Sequence, residues 1–278
     1  MTYQKPMVRW NGHRVYVRDY AGQDPPIVLL HGFPDNVHLY DRLVPHLAGR
    51  RRVVTFDFLG WGTSDRPTDY RPTAASQALE LDAVIDQLGL QEIVLVPHDA
   101  SGPPAIDWAL GHAERVAGLV LLDTYYQWTP RLRRPPAIAL YSTPILKSLV
   151  RWMARRIEGF DRSLYFWQVG RFISDPEVTD ELVPLLYSQW LATRPAFWAL
   201  NDDLLKTVMS RRKMIPRMKA FDRPVRIVFG DGDPWMNTGV AKKFHELFPT
   251  SELFVVAGAR HYLQVDEPEE VARLILSD

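Results

Sequence analysis

Three side chains spaced through the chain could together break a bond and release the product: Asp99, His261 and an aspartate to orient the histidine. The run Ile93–Val96 reads as a short buried strand with Asp99 just beyond it. Ser101, Gly102, Ile106, Ala109 and Leu110 read as a helix start and its buried face. A side chain on such a strand-to-helix turn projects from the sheet over the free N–H groups and positive end of the next helix. An aspartate there is ionised at neutral pH and needs no base before it attacks carbon. Attack forms an ester, which water must then hydrolyse. A histidine must deprotonate that water, and a carboxylate must hold the imidazole's other N–H and stabilise the imidazolium. His261 follows a strand and a Gly-Ala-Arg turn, a loop position suited to reaching Asp99. Two aspartates at strand ends could orient it: Asp233, 28 residues before His261, and Asp123, 24 residues beyond Asp99. Ser101 competes poorly as nucleophile, because the residues two positions away are Asp99 and Pro103, where a serine elbow carries small residues.

Placing these residues together calls for a parallel sheet. Asn11-Gly12 joins Met7–Trp10 to Arg14–Val17 as a hairpin. The apolar runs Ile27–Leu30, Val53–Phe56, Ile93–Val96 and Gly118–Leu122 alternate with helical patterns near 38–48, 73–88 and 101–113. From about Gln127 to Met218 the pattern is helical, basic and aromatic, with Trp128, Trp152, Trp167, Trp190 and Trp198 among its residues. The strand–helix rhythm then resumes with Val225–Phe229, a helix near 239–247, Leu253–Val256 and a final helix over Glu267–Leu276. The chain therefore divides into 1–126, a helical insert at 127–218, and 219–278. An insert of this kind sits over the C-terminal ends of the strands, where open α/β sheets place ligands.

Composition narrows the function classes. The 278 residues, 46% hydrophobic, suffice for one large core or a core with an insert. A net charge of zero and a pI near 7.1 give no electrostatic case for nucleic acid or an anionic membrane as partner. The absence of cysteine excludes disulfides, thiolate zinc sites and cysteine nucleophiles. Without an apolar run of spanning length or a signal-peptide pattern, a soluble cytoplasmic protein is expected. The eight histidines show no ligand spacing, so neither metal nor organic cofactor is expected. Gly60 and Gly62 only superficially resemble a phosphate loop, since no lysine follows them.

Five segments carry a resemblance to the α/β-hydrolase family over nearly the full length: His31-Gly-Phe-Pro34, Asp57 to Ser64, His98-Asp99, Gly230-Asp-Gly-Asp233 and Gly258-Ala-Arg-His261. The chain is most similar to the aspartate-nucleophile group, which includes epoxide hydrolases and haloalkane and haloacetate dehalogenases. The resemblance implies a mostly parallel eight-stranded sheet flanked by helices, with a helical cap inserted after the sixth strand. It makes Asp99 the nucleophile, His261 the base, and the amides of Phe33 and Ala100 the oxyanion hole. His31 becomes a structural residue, and Pro34 follows a cis peptide. Asp233 is favoured over Asp123 as the acid, because dehalogenases that use the earlier position usually lack the later aspartate.

The residues that would name the substrate are less regular. Haloalkane dehalogenases usually carry Trp after the nucleophile and haloacetate dehalogenases Arg, where this chain has Ala100; the second haloacetate arginine falls on Pro103. The segment Leu30 to His38 is nevertheless similar to the haloacetate dehalogenase oxyanion segment. Epoxide hydrolases use two cap tyrosines, and the insert offers Tyr141, Tyr165 and Tyr187. Asp203 stands where one of those tyrosines would fall, and Arg162 where the other would. Candidate substrate contacts are Tyr165, Tyr141, Trp167, Trp198 and Asp203, with His98 beside the nucleophile. The expected activity is epoxide hydrolysis on a small apolar or aromatic substrate with water, by a monomer or homodimer. Dehalogenation is the alternative within the enzyme class, and a non-catalytic ligand-binding homologue the alternative outside it.

Overall fold

The structure, a computed structural model, describes residues 1–277. Strands β1 (Val8–Trp10), β2 (His13–Tyr20), β3 (Ile27–Leu30), β4 (Val53–Asp57), β5 (Ile93–Asp99), β6 (Val116–Thr124), β7 (Val225–Gly230) and β8 (Ser251–Val256) form one sheet. Their order is β1-β2-β4-β3-β5-β6-β7-β8. β2 runs antiparallel to β1 and β4, and the pairs from β4 to β8 are parallel. The hairpin turn falls on Asn11 and Gly12, both at positive φ, which these two residues tolerate best. β3, β4 and β5 are buried on both faces, and that is why they read as unbroken apolar runs. β8 closes one edge and is only half-buried.

Short helices follow the early strands: α1 (Val44–Leu47), α2 (Ala74–Gln87) and α3 (Gly102–Gly111). α2 begins at a reciprocal cap, Thr73 Oγ1 accepting from the Ser76 N–H at 3.1 Å and Ser76 Oγ from the Thr73 N–H at 2.9 Å. The helix expected over 38–48 is instead a 3-10 turn at Val37–Tyr40 and the single turn of α1. Asn36 caps the first piece, Tyr40 donates to the Leu30 carbonyl at 2.7 Å, and Pro45 lacks the N–H that would join the two.

Between β6 and β7 the regular elements are all helical: α4 (Pro136–Ser142), α5 (Pro144–Arg156), α6 (Phe160–Val169), α7 (Pro176–Tyr187), α8 (Trp190–Ser210), a 3-10 turn at Arg211–Met214, and α9 (Ile215–Lys219). A buried carboxylate joins three of these helices. Asp161 accepts from Tyr141 Oη at 2.9 Å and Trp190 Nε1 at 2.7 Å, and pairs with Arg194 at 3.0 Å, so its burial is compensated. Asp202 ties α8 to α5 through Lys147 at 2.6 Å and Arg151 at 3.0 Å. The segment meets loops beyond the strands' C-terminal ends, where the Phe172 carbonyl accepts from the Tyr262 N–H at 2.9 Å. The chain then closes with α10 (Thr238–His245), α11 (Leu263–Asp266) and α12 (Pro268–Leu276).

The start of α3 lies tightly against the end of β6. A Cβ on Gly102 would fall 2.5 Å from the Tyr125 carbonyl oxygen and closer still to Thr124 Oγ1. Gly102→Ala is therefore expected to destabilise the fold by about 2 kcal/mol through overpacking. Urea unfolding measures this, and a midpoint equal to that of the parent chain would contradict the close approach.

Candidate active site

β5 ends on Asp99 with a backbone φ of 47°, a left-handed conformation that side-chain-bearing residues rarely adopt. Local hydrogen bonds hold the turn. Thr124 Oγ1 donates to the Asp99 carbonyl, the Ser101 N–H to the His98 carbonyl at 3.1 Å, and the His98 N–H to Ser101 Oγ at 2.9 Å. Ser101 Oγ also lies 2.9 Å from the Leu30 carbonyl, so this hydroxyl stitches two strand ends together inside the fold. The tight packing of α3 against β6 falls on the neighbouring Gly102.

Gly32 lets a second loop reach the nucleophile position. Its Cβ, if present, would stand 2.6 Å from Asp99 Cβ and 2.8 Å from Oδ2. Without it, the Phe33 N–H donates to Asp99 Oδ2 at 3.2 Å, and the Ala100 amide bonds the same carboxyl group. The Phe33–Pro34 peptide is cis. His31 braces the loop from behind, with Nδ1 2.7 Å from the Gly32 carbonyl and Nε2 accepting from the Phe58 N–H at 3.3 Å.

His261 stands between two carboxylates. Its Nδ1–H donates to Asp233 Oδ2 at 2.6 Å, and its Nε2 lies 3.8 Å from Asp99 Oδ1. The other Asp233 oxygen accepts the backbone N–H groups of Trp235 at 2.7 Å and Met236 at 3.1 Å. Burial alone would lower the imidazolium pKa. The charge and hydrogen bond of Asp233, with Asp99 and Asp35, outweigh that and raise it to about 9. Burial raises the Asp99 carboxyl, opposed by His261 and the two amides.

Asp123 is the third buried carboxyl, with an oxygen within 4.8 Å of both the Asp233 and His261 polar atoms. It accepts the Gly230 N–H at 3.1 Å. Burial, then the charge of Asp233, pushes its pKa well above the ordinary carboxyl value, opposed by the Gly230 amide. The imidazole N–H goes to Asp233. Asp231 instead caps the Gly258 turn from the surface, accepting its N–H at 2.8 Å.

The candidate substrate contacts separate into two groups. Tyr141 and Tyr165 line a small apolar cavity of about 20 Å³ together with Pro34, Phe172 and Phe197. The Phe172 ring, one wall of this cavity, lies 4.8 Å from the His261 ring on its other side, and so separates the cavity from the histidine. Tyr165 Oη is 3.4 Å from the Pro34 carbonyl, a weak contact, whereas the Tyr141 hydroxyl is committed to Asp161. The other four are not brought there. His98 is fully buried and donates from Nε2 to the His261 carbonyl at 2.9 Å, so it supports the histidine loop from below. Trp167 is on the outside under Arg171, the Trp198 ring is surrounded by Arg151, Arg155 and Arg194, and Asp203 pairs with Arg71 at 3.2 Å. Sequence reasoning passed over Phe172 and Phe197. Phe197 could have been found seven residues after Trp190 on one helical face, but Phe172 lies outside any helix and leaves no signal. It also passed over Asp35, whose Oδ1 accepts from Tyr262 Oη and whose pKa burial raises to about 7.

These groups make stability depend on pH in one direction. Asp35 is raised to about 7, buried Glu80 to about 8 and His261 to about 9, each above its unfolded value. Between each unfolded and folded pKa the native state binds the extra proton, so stability is fully present below and lost as pH rises through the folded value. Buried His31 and His98 are shifted the other way, below the ordinary histidine value, and oppose this trend up to about pH 6.5. The thermal midpoint is therefore expected to fall from about pH 7 to about pH 9, and Glu80→Gln to flatten the portion below about pH 8. A midpoint that rises across this interval contradicts the assigned shifts.

Comparison with known proteins agrees with the geometry of the fold. The family model described as the alpha/beta hydrolase fold matches residues 25–268. A putative hydrolase, LipZ, of Mycobacterium tuberculosis is 25% identical over 276 residues, covering 95% of this chain and 91% of the relative. Haloalkane dehalogenase 2 of the same organism is 25% identical over 265 residues, covering 92% and 88%. The crystal structure of the haloalkane dehalogenase DatA from Agrobacterium tumefaciens C58 superposes with a TM-score of 0.82 at 21% identity, covering 98% of this chain and 94% of that one, a likeness of fold. Among the described residues no helix is long and apolar enough to cross a membrane. The sheet order, the extent of the family match and these relatives establish that the chain belongs to the α/β-hydrolase family.

Proposed function

We propose that this hydrolase works through a covalent ester on Asp99 and that its substrate is an epoxide, opened to a diol. One observation carries the ester reading: the two Asp99 oxygens have different surroundings. Oδ2 is held by the Phe33 amide at 3.2 Å, while Oδ1 faces His261 Nε2 across 3.8 Å. Oδ1 is then the attacking atom, and Oδ2 becomes the ester carbonyl already seated against amide donors. Attack on an epoxide carbon breaks the C–O bond, and the released alkoxide takes a proton from a donor in the helical insertion, which serves as a cap.

The ester step also prepares the base. Formation of the ester removes the Asp99 charge, one of the influences that raise the His261 pKa. The imidazolium then gives up its proton more readily, returning it to the donor that protonated the alkoxide, and the neutral imidazole takes a proton from water at Nε2. The resulting hydroxide attacks Asp99 Cγ, negative charge gathers on Oδ2 against the Phe33 and Ala100 amides, and collapse releases the diol and restores the carboxylate. Asp233 stabilises the transient imidazolium through the 2.6 Å bond to Nδ1.

Tyr165 is the proposed proton donor to the alkoxide, because its hydroxyl borders the cavity and is held only by the weak Pro34 contact. Carbon–halogen hydrolysis is the second reading, favoured by the haloalkane dehalogenase relative. Against it, Ala100 offers no side-chain N–H to hold a departing halide.

A single turnover in heavy-oxygen water should leave label in Asp99, and a second turnover in ordinary water should carry that oxygen into the product. Label entering the product directly, with none in the protein, contradicts the ester. Asp99→Ala should abolish turnover on epoxide and haloalkane panels alike. Tyr165→Phe should lower epoxide kcat by roughly 10²- to 10⁴-fold, the usual value of a positioned acid. Halide release in the parent chain, undiminished by that change, would replace the epoxide reading with the dehalogenase one while keeping the ester.

A further inference from the structure

Zero net charge conceals a segregation. Residues 127–218 carry 15 Lys and Arg against 8 Asp and Glu, a balance of +7, which leaves −7 on the remainder. Whole-chain neutrality argues against an anionic partner surface only where the two signs are mixed; here they are not. Part of the excess lies on α5, a helix that contains Lys147 and Arg151 on its inner side, Arg155 and Arg156 at its C-terminal end, and no acid, with Glu158 just beyond it.

The inner face of α5 is accounted for by buried Val150 and Ala154 and by the pairing of Lys147 and Arg151 with Asp202. Its outer face is apolar and open. Ile145, Leu149 and Trp152 are 87%, 54% and 55% exposed and follow the i, i+4, i+7 spacing that aligns side chains in one stripe. Leu146 and Ile157 are also exposed nearby. A stripe of large apolar side chains held out of the core marks an interaction surface. Arg155 and Arg156 stand exposed at one end, and neither forms an ion pair among the described residues. At the other end, Arg134 donates to Ser142 Oγ at 3.0 Å, just before the helix begins.

Apolar side chains along a short helix, with unopposed arginines at its ends, fit an apolar medium under a negatively charged skin. We propose that α5 docks this chain on an anionic lipid surface, lying in the interface with Ile145, Leu149 and Trp152 among the acyl chains and Arg155 and Arg156 against the headgroups. Thirteen residues are too few to cross a bilayer, so the helix lies along it. A second copy offering the same face is disfavoured, because it would bring the unpaired Arg156 of one copy near that of the other with no acid on the helix to offset them. This inference is independent of the ester chemistry.

Sedimentation of the full chain with vesicles tests it, using phosphatidylcholine alone and an equimolar mixture with phosphatidylglycerol. The mixed vesicles should bind at least about tenfold more strongly, and added salt should weaken that binding. Arg155→Gln and Arg156→Gln should each cost roughly fivefold, the effect of one basic residue near an anionic surface. Trp152→Ser and, separately, Leu149→Gln should reduce binding by about tenfold through lost apolar insertion, with unchanged melting as evidence of folding. Equal binding to both vesicles, no binding, or full binding by both apolar variants overturns the proposal. A dimer in velocity sedimentation that Trp152→Ser dissolves, without vesicle binding, assigns the stripe to a second copy and likewise overturns it.

Discussion

The geometry of the site depends on one backbone conformation, the φ of 47° at Asp99. A non-glycine residue in the left-handed region costs about 1–2 kcal/mol, and three surrounding features keep it there. Thr124 Oγ1 holds the Asp99 carbonyl from the neighbouring strand, Ser101 ties the turn to His98, and Gly102 lets α3 begin directly against β6. The sharp reversal points the carboxyl group off the end of the sheet, where the Gly32 loop reaches it only because that residue has no side chain. Extended backbone at Asp99 would lay the side chain along the sheet, out of reach of both Phe33 and His261.

Four buried carboxyl groups near one imidazole pose an electrostatic difficulty that hydrogen-bond donors and upward pKa shifts offset. Asp233 is satisfied by two amides and the His261 N–H, and Asp99 by the Phe33 and Ala100 amides. Asp123, facing the Asp233 charge with one amide partner, is pushed well up from the ordinary carboxyl value by burial and that charge. The imidazole N–H is bonded to Asp233 and leaves Asp123 to the Gly230 amide. Asp35 shares its proton economy with Tyr262 and feels the Asp99 charge, which helps push it up to about 7. Any change in the charge of Asp99 is consequently sensed by both Asp35 and His261.

The sheet was legible because doubly buried parallel strands must be continuous apolar runs, and β3 appears at the bounds its sequence suggests. The trio Asp99, His261 and Asp233 was legible because each closes a strand or follows one at a turn. The helical insertion was legible only as helical. Its aromatic residues are dense enough that periodicity does not distinguish a ring facing the cavity, such as Tyr165, from one facing solvent, such as Trp167. His98 shows a related limit: adjacency to Asp99 in sequence says nothing about side, and alternation along β5 turns it beneath the His261 loop. The helix expected over 38–48 failed for a local reason, since Asn36 and Tyr40 supply competing hydrogen bonds and Pro45 removes one.

Two tyrosines that look equivalent in the sequence are made unequal by Asp161. That carboxylate, already joined to Trp190 and Arg194, accepts the Tyr141 hydroxyl's hydrogen bond at 2.9 Å and fixes the phenol as part of the scaffold. Releasing it toward a substrate would leave a buried carboxylate short of a donor, at a cost of about 1–3 kcal/mol. Tyr165 has no such obligation, because its one contact is a 3.4 Å approach to a carbonyl. The cavity therefore offers one disposable hydroxyl proton. A departing alkoxide needs one proton and ends neutral, whereas a departing halide accepts none and must be held as an anion by surrounding donors. With alanine next to Asp99 and one loosely held phenol in the insertion, the supply of donors favours an oxygen leaving group, and this asymmetry is what supports the epoxide reading over the halide one.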